Sequence, residues 1–152
     1  MKILCNFQTS VRKALTEIDP KWESYDGLIV CGTHTPHDTE QLIDEIRQAR
    51  NEKRPALLIC FGHQLGAIQW ARDNGIPDAT SEEFGAGTFV VKKRSQLKVG
   101  LQNGESWWSN YFVDIKWDIP DYFVSVAFHP EYESSKKNPH PLLIHFLNLC
   151  RK

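Results

Sequence analysis

The chain has 152 residues, about the usual size of one folding domain, so residues 1–152 are expected to form a single domain with its own core. With 19 acidic and 18 basic residues and a formal net charge of -1, it offers no positive field for nucleic acid or an anionic membrane. No apolar run approaches the ~18 residues of a membrane span, and Met1 to Asn6 passes into polar residues without a signal-peptide pattern, so a cytoplasmic protein with a small-molecule or protein partner is expected.

Met1 to Phe7 reads as a first strand. Ser10 is placed to cap a helix in which Val11, Ala14, Leu15 and Ile18 share a face, and Asp19 with Pro20 ends it. Leu28 to Cys31 is the second strand. Thr39 is placed to cap a helix running to about Asn51, with Leu42, Ile43 and Ile46 on its apolar stripe. Ala56 to Cys60 is wholly apolar, as a central strand covered on both faces must be. Gly62 to Asp73 reads as a helix closed by a left-handed turn at Asn74 and Gly75.

Beyond Pro77 the pattern becomes strand-like, in Thr88 to Lys92, Leu97 to Leu101, Tyr111 to Ile115 and Phe123 to Phe128. Pro141 to Cys150 returns to helix, with Leu142, Leu143, Phe146, Leu147 and Cys150 directed to a sheet. Strands alternating with amphipathic helices in the first half predict an α/β fold with parallel strands.

The cysteines at 5, 31, 60 and 150 are scattered through apolar stretches, unlike the close spacings of zinc sites or disulfide scaffolds. Three of them are expected only to pack. Cys60 is different, because an apolar strand stops there and turns at once through Gly62 into a helix. Such an elbow projects its side chain at the carboxyl end of the sheet, where the following amides and the helix dipole favour a thiolate and an oxyanion.

A thiolate needs a proton partner, and Phe128-His129-Pro130-Glu131 places an imidazole at the end of another predicted strand, with a carboxylate two residues on. Cys60, His129 and Glu131 supply nucleophile, base and orienting acid.

The segments Ile59-Cys60-Phe61-Gly62-His63-Gln64 and Phe128-His129-Pro130-Glu131 resemble the two signature motifs of class I glutamine amidotransferases. Within that family the likeness is to the glutaminase domain of CTP synthases, because Asp78 to Phe84 follows the elbow helix as an acidic stretch does there. The tail from Phe128 through Ser134 to His140-Pro141-Leu142 is similar too.

The resemblance implies a three-layer, flavodoxin-like α/β domain with a mostly parallel central sheet, and hydrolysis of the γ-amide of glutamine or a γ-glutamyl compound through a thioester at Cys60. It further implies oxyanion donors from the amide of Phe61 and from Gly32 or Thr33, substrate contacts from Gln64 and Glu83, no metal or other cofactor, and an ammonia acceptor on a separate synthetase subunit or none at all. The chain departs from the family in two places. Gly32-Thr33-His34-Thr35 stands where the family carries a glycine-rich turn, and Trp107-Trp108 stands where CTP synthases place the arginine that binds the substrate carboxylate, leaving Trp108 to line the site.

The alternative to an enzyme is a partner-dependent or catalytically silent regulatory subunit. His63 is read as a helix-face residue and His34 and His37 as loop polarity, since the pair has no evident third metal ligand. Lys136 and Lys137 are read as a solvated loop.

Overall fold

A computed structural model describes the backbone of residues 1–102 and 105–152 and the side chains of 1–93 and 111–152. The elements run β1 (Lys2–Leu4), α1 (Thr9–Ile18), β2 (Leu28–Val30), α2 (Thr39–Glu52), β3 (Ala56–Ile59), α3 (Phe61–Asp73), β4 (Ala79–Ser81), β5 (Thr88–Gln102), β6 (Glu105–Val113), β7 (Phe123–Val126) and α4 (Pro141–Cys150). Single 3-10 turns occur at Trp22–Ser24 and Pro130–Glu133.

The central sheet has the order β1-β2-β3-β7 with every pair parallel. A second sheet, β4-β5-β6, pairs β4 with β5 in parallel and β5 with β6 antiparallel.

Successive strand residues point to opposite faces, and the apolar runs of β2 and β3 exploit this on both sides. Leu28, Val30, Ala56 and Leu58 pack with Leu42, Ile43 and Ile46 of α2 and Leu65 and Ile68 of α3. Ile29, Leu57 and Ile59 pack with Val11 and Leu15 of α1 and Leu143, Phe146 and Leu147 of α4. Helices therefore cover both faces, giving three layers. Each of these buried aliphatic chains contributes about 1.5–3 kcal/mol relative to exposure, so the strands at the centre are the most constrained part of the chain.

Several expected boundaries move, each for a local reason. The first strand ends at Leu4, not Phe7, because Cys5 takes a positive φ of 78° and turns the chain out of the sheet. β7 ends at Val126, not Phe128, because its neighbour β3 ends at Ile59 and offers no further ladder. The runs at 88–92 and 97–101 form one strand, whose register shifts between Lys93 and Leu97 and between Val99 and Leu101 break the alternation. The run expected at 111–115 is the end of β6, which starts at Glu105. β4 was not expected; three residues carry no period.

Neither expected hydroxyl cap is used. α1 begins before Ser10, and Gln8 at its N-cap position sends its side chain back to the Cys5 carbonyl at 2.6 Å. α2 begins at Thr39 after a left-handed Asp38, whose carboxylate is held instead by His37 Nδ1 at 2.9 Å. α4 carries a cap the sequence did not suggest: His140 Nδ1 accepts from the Leu142 amide at 3.1 Å, ahead of Pro141 at the first helical position.

Candidate active site

Cys60 joins β3 directly to α3 with φ 54° and ψ -101°, a backbone conformation that costs a non-glycine residue about 1–3 kcal/mol. The conformation is held from both sides: the Cys60 amide donates to the Val126 carbonyl at 2.9 Å, and the Cys60 carbonyl accepts from the Gln64 amide at 3.1 Å. Gly62 allows α3 to start this close to the sheet, since a Cβ there would stand 2.3 Å from the Val30 carbonyl oxygen. Phe61, only 2% exposed, packs edge-on against Phe84 and anchors the first turn.

His129 follows β7, the strand beside β3, so it leaves the same end of the sheet as Cys60. Its Nδ1 lies 2.8 Å from Glu131 Oε2 with both side chains almost wholly buried. The Pro130–Glu133 turn carries the carboxylate back onto the imidazole that precedes it. The Tyr132 ring stacks on the imidazole at 4.7 Å with an interplanar angle of 11°. Burial, followed by the charges of Glu131 and Cys60, raises the Tyr132 hydroxyl above its ordinary value, so it stays a neutral phenol.

Gly32 follows β2 at the same sheet end and packs against the imidazole edge that carries Cε1 and Nε2. A Cβ at Gly32 would come within 2.8 Å of His129 Cε1, so only glycine fits beside the ring. The backbone N–H groups of Gly32 and Thr33 have no hydrogen-bond partner among the described residues. Buried amide donors are rarely left so.

Gln64, one helical turn from Cys60, is buried, and its Oε1 has no partner among the described residues. Glu83 is half-buried, and burial raises its carboxyl above the ordinary range. The Trp108 side chain lies outside the described residues.

Cys31 and Cys150 are buried free thiols, both raised by burial, Cys150 to about 12. Cys5 and Cys60 are part-exposed, and burial raises the Cys5 thiol above its ordinary value. His63 bonds Ser125 Oγ at 2.8 Å beside Trp117, and burial lowers it to about 4, so its ring is neutral. His34 meets the edge of Phe7, while His37 bonds Asp38 and Asn6. Among the described residues no three His, Cys, Asp or Glu side chains could hold a metal ion, and no helix is long and apolar enough to cross a membrane.

The sequence model of the family described as glutamine amidotransferase class-I matches residues 3–114. The chain belongs to this family. The matched stretch of the amidotransferase holds Gly32, Cys60, Gln64 and Glu83, while His129 and Glu131 lie beyond it.

Among curated proteins it is 28% identical to the CTP synthase of Bdellovibrio bacteriovorus, over 84% of this chain and 35% of that protein. It is 26% identical to that of Methanoculleus marisnigri, over 100% of this chain and 41% of that protein. A shorter stretch, 45% of this chain, is 46% identical to the CTP synthase of Methanoregula boonei. The chain thus spans well under half the length of these relatives. Its fold matches the glutaminase domain of Trypanosoma brucei CTPS with bound acivicin at a TM-score of 0.75, covering 98% of this chain and 92% of that one at 16% identity. The three-layer arrangement with a mostly parallel central sheet is the fold of that domain.

Proposed function

We propose that this chain hydrolyses the γ-amide of glutamine, or of a γ-glutamyl compound, through a thioester on Cys60. The observation that carries this reading is the buried His129–Glu131 pair at 2.8 Å, set at the end of the strand neighbouring the one that ends in the strained Cys60 elbow. Glu131 as acceptor fixes the proton on His129 Nδ1, which leaves Nε2 to take the Cys60 proton.

In the first half-reaction the Cys60 sulfur attacks the γ-carbonyl carbon, and the carbonyl oxygen gains the charge. The amides of Phe61 and of Gly32 or Thr33 are the donors for that oxyanion. As the intermediate collapses, the C–N bond breaks and His129 gives its proton to the departing amine, leaving a γ-glutamyl thioester. Water, losing a proton to His129, then attacks the thioester carbonyl; the C–S bond breaks, and glutamate and the Cys60 thiol are restored.

Gln64 and Glu83 are assigned to the amino-acid end of the substrate: the Gln64 oxygen as an unused acceptor and Glu83 as a carboxylate facing the substrate ammonium. The released ammonia either passes to an acceptor on a further domain or chain, a reading the greater length of the CTP synthase relatives supports, or leaves as a product of simple hydrolysis. Four free thiols and a thiolate chemistry suit a reducing, cytoplasmic compartment.

The test is a chloroketone analogue of glutamine followed by mapping of the labelled peptide. Labelling confined to Cys60 and prevented by excess glutamine is the expected result. Labelling spread over Cys5 and Cys60 without protection by glutamine would return Cys60 to an ordinary thiol and leave the chain a silent regulatory subunit.

A further inference from the structure

The loop after β2 lacks the glycine-rich turn that the family resemblance implies, yet it is tightly held, and what holds it comes from the residues just after β1. Cys5, at φ 78°, directs the next residues across the end of β2. Strain of this kind persists only where the surroundings over-determine it. Asn6 is then the hub of a polar network: its Nδ2 donates to Thr33 Oγ1 at 3.2 Å and to Thr35 Oγ1 at 3.3 Å. Its Oδ1 meets His37 Nε2 at 3.1 Å, and His37 Nδ1 is bonded to Asp38 at 2.9 Å. Thr33 Oγ1 also accepts from the Thr35 amide at 3.0 Å, closing the turn on itself.

Two further contacts run between the same segments. The Phe7 amide donates to the Gly32 carbonyl at 3.3 Å, and the Phe7 ring stands 4.9 Å from the His34 ring. Thr33 is 9% exposed, so its hydroxyl needs partners inside the protein, and Asn6 supplies one. The Gly32 carbonyl is fixed by Phe7 and the Thr33 side chain by Asn6, which leaves the peptide between them little freedom. The Thr33 amide, which follows Gly32 beside His129, is the donor so oriented.

We propose that Asn6 is a positioning residue for the oxyanion-binding loop, holding the Gly32–Thr33 peptide, and with it the Thr33 amide, toward the reacting carbonyl through Thr33 and Thr35 in place of a glycine-rich turn. The inference rests on the reading of Cys60 as nucleophile. Asn6 touches no substrate; it acts through the loop. Misplacing a donor rather than deleting a binding contact lowers the rate of steps that pass through an oxyanion and leaves other steps alone.

The experiment compares two reagents on the whole chain. A glutamine chloroketone labels Cys60 through a tetrahedral oxyanion, whereas iodoacetamide alkylates the thiol by direct displacement and needs no oxyanion donor. In Asn6→Ala the chloroketone rate should fall about 10- to 100-fold relative to the iodoacetamide rate, and amide hydrogen exchange across residues 32–35 should quicken. Where glutamine is turned over, kcat should fall with KM little changed. Thr33→Val should repeat the effect, and Thr33→Ser, which keeps the hydroxyl, should restore the parental ratio.

An unchanged ratio of the two rates in folded Asn6→Ala or Thr33→Val overturns the positioning role, whatever the parent's activity. Failure of the chloroketone to label Cys60 in the parent removes the nucleophile reading itself and the inference with it, a distinct result obtained before any variant is made.

Discussion

At Cys60 the proposed function and stability pull in opposite directions, because the proposed nucleophile sits on a backbone that only glycine adopts without strain. Cys60→Gly is therefore expected to inactivate the protein and to be more stable than Cys60→Ala by about 1 kcal/mol, read from urea or thermal unfolding of the two variants. Equal stabilities, or a less stable glycine variant, would mean that the elbow stores no strain. The elbow at Cys60 and Gly62 and the His129–Glu131 pair were legible in the sequence, because a strand that runs into Cys-x-Gly and another followed closely by His-Pro-Glu are local patterns. Asn6 and Tyr132 were not. Their contacts join segments 25 or more residues apart in the case of Asn6 and, for Tyr132, depend on a 3-10 turn that folds the ring back over its own histidine. No period or spacing encodes either.

Elements were legible wherever one pattern ran long enough. α1, α2 and α4 appear within a few residues of their expected places because each has a repeating apolar stripe, α3 because the Cys60 elbow and Asn74-Gly75 mark its two ends, and β2 and β3 because double-sided burial leaves no polar residue in them. Helix starts were misjudged because Gln8 and Asp38 find other partners than the helix amides, and β4 was missed because three residues show no alternation.

The start of α3 also carries a pH dependence. Burial lowers His63 from 6.5 to about 4, so between these values the unfolded chain binds a proton that the folded chain refuses. Stability from this group is complete above pH 6.5 and is lost as the pH falls toward 4, by up to about 3 kcal/mol. Burial lowers His140 at the α4 cap as well, with the same sign. His63→Gln should flatten the fall in unfolding free energy between pH 6.5 and 4; an unchanged slope would show that His63 is already protonated in the folded protein.

For the whole molecule, the layered sheet brings the ends of β2, β3 and β7 together, and with them Gly32, Cys60 and His129, from positions spread over most of the chain. The order β1-β2-β3-β7, with β4 to β6 set aside in a second sheet, was not legible, since nothing in the β-rich stretch distinguishes the strand that returns to the centre from those that do not. Family membership is shown, while the chain spans 35% to 41% of the CTP synthases compared along most of its length.

If, as the family resemblance implies, the tryptophans at 107 and 108 replace a carboxylate-binding arginine, a charge-assisted contact of about 2 kcal/mol is missing, which weakens glutamine binding about 30-fold. The most direct measurement is glutamate release by the purified chain across a range of glutamine concentrations, beside Cys60→Ser at the same protein concentration. The account predicts release that saturates only in the millimolar range and disappears in Cys60→Ser. Release that persists undiminished in Cys60→Ser would contradict it.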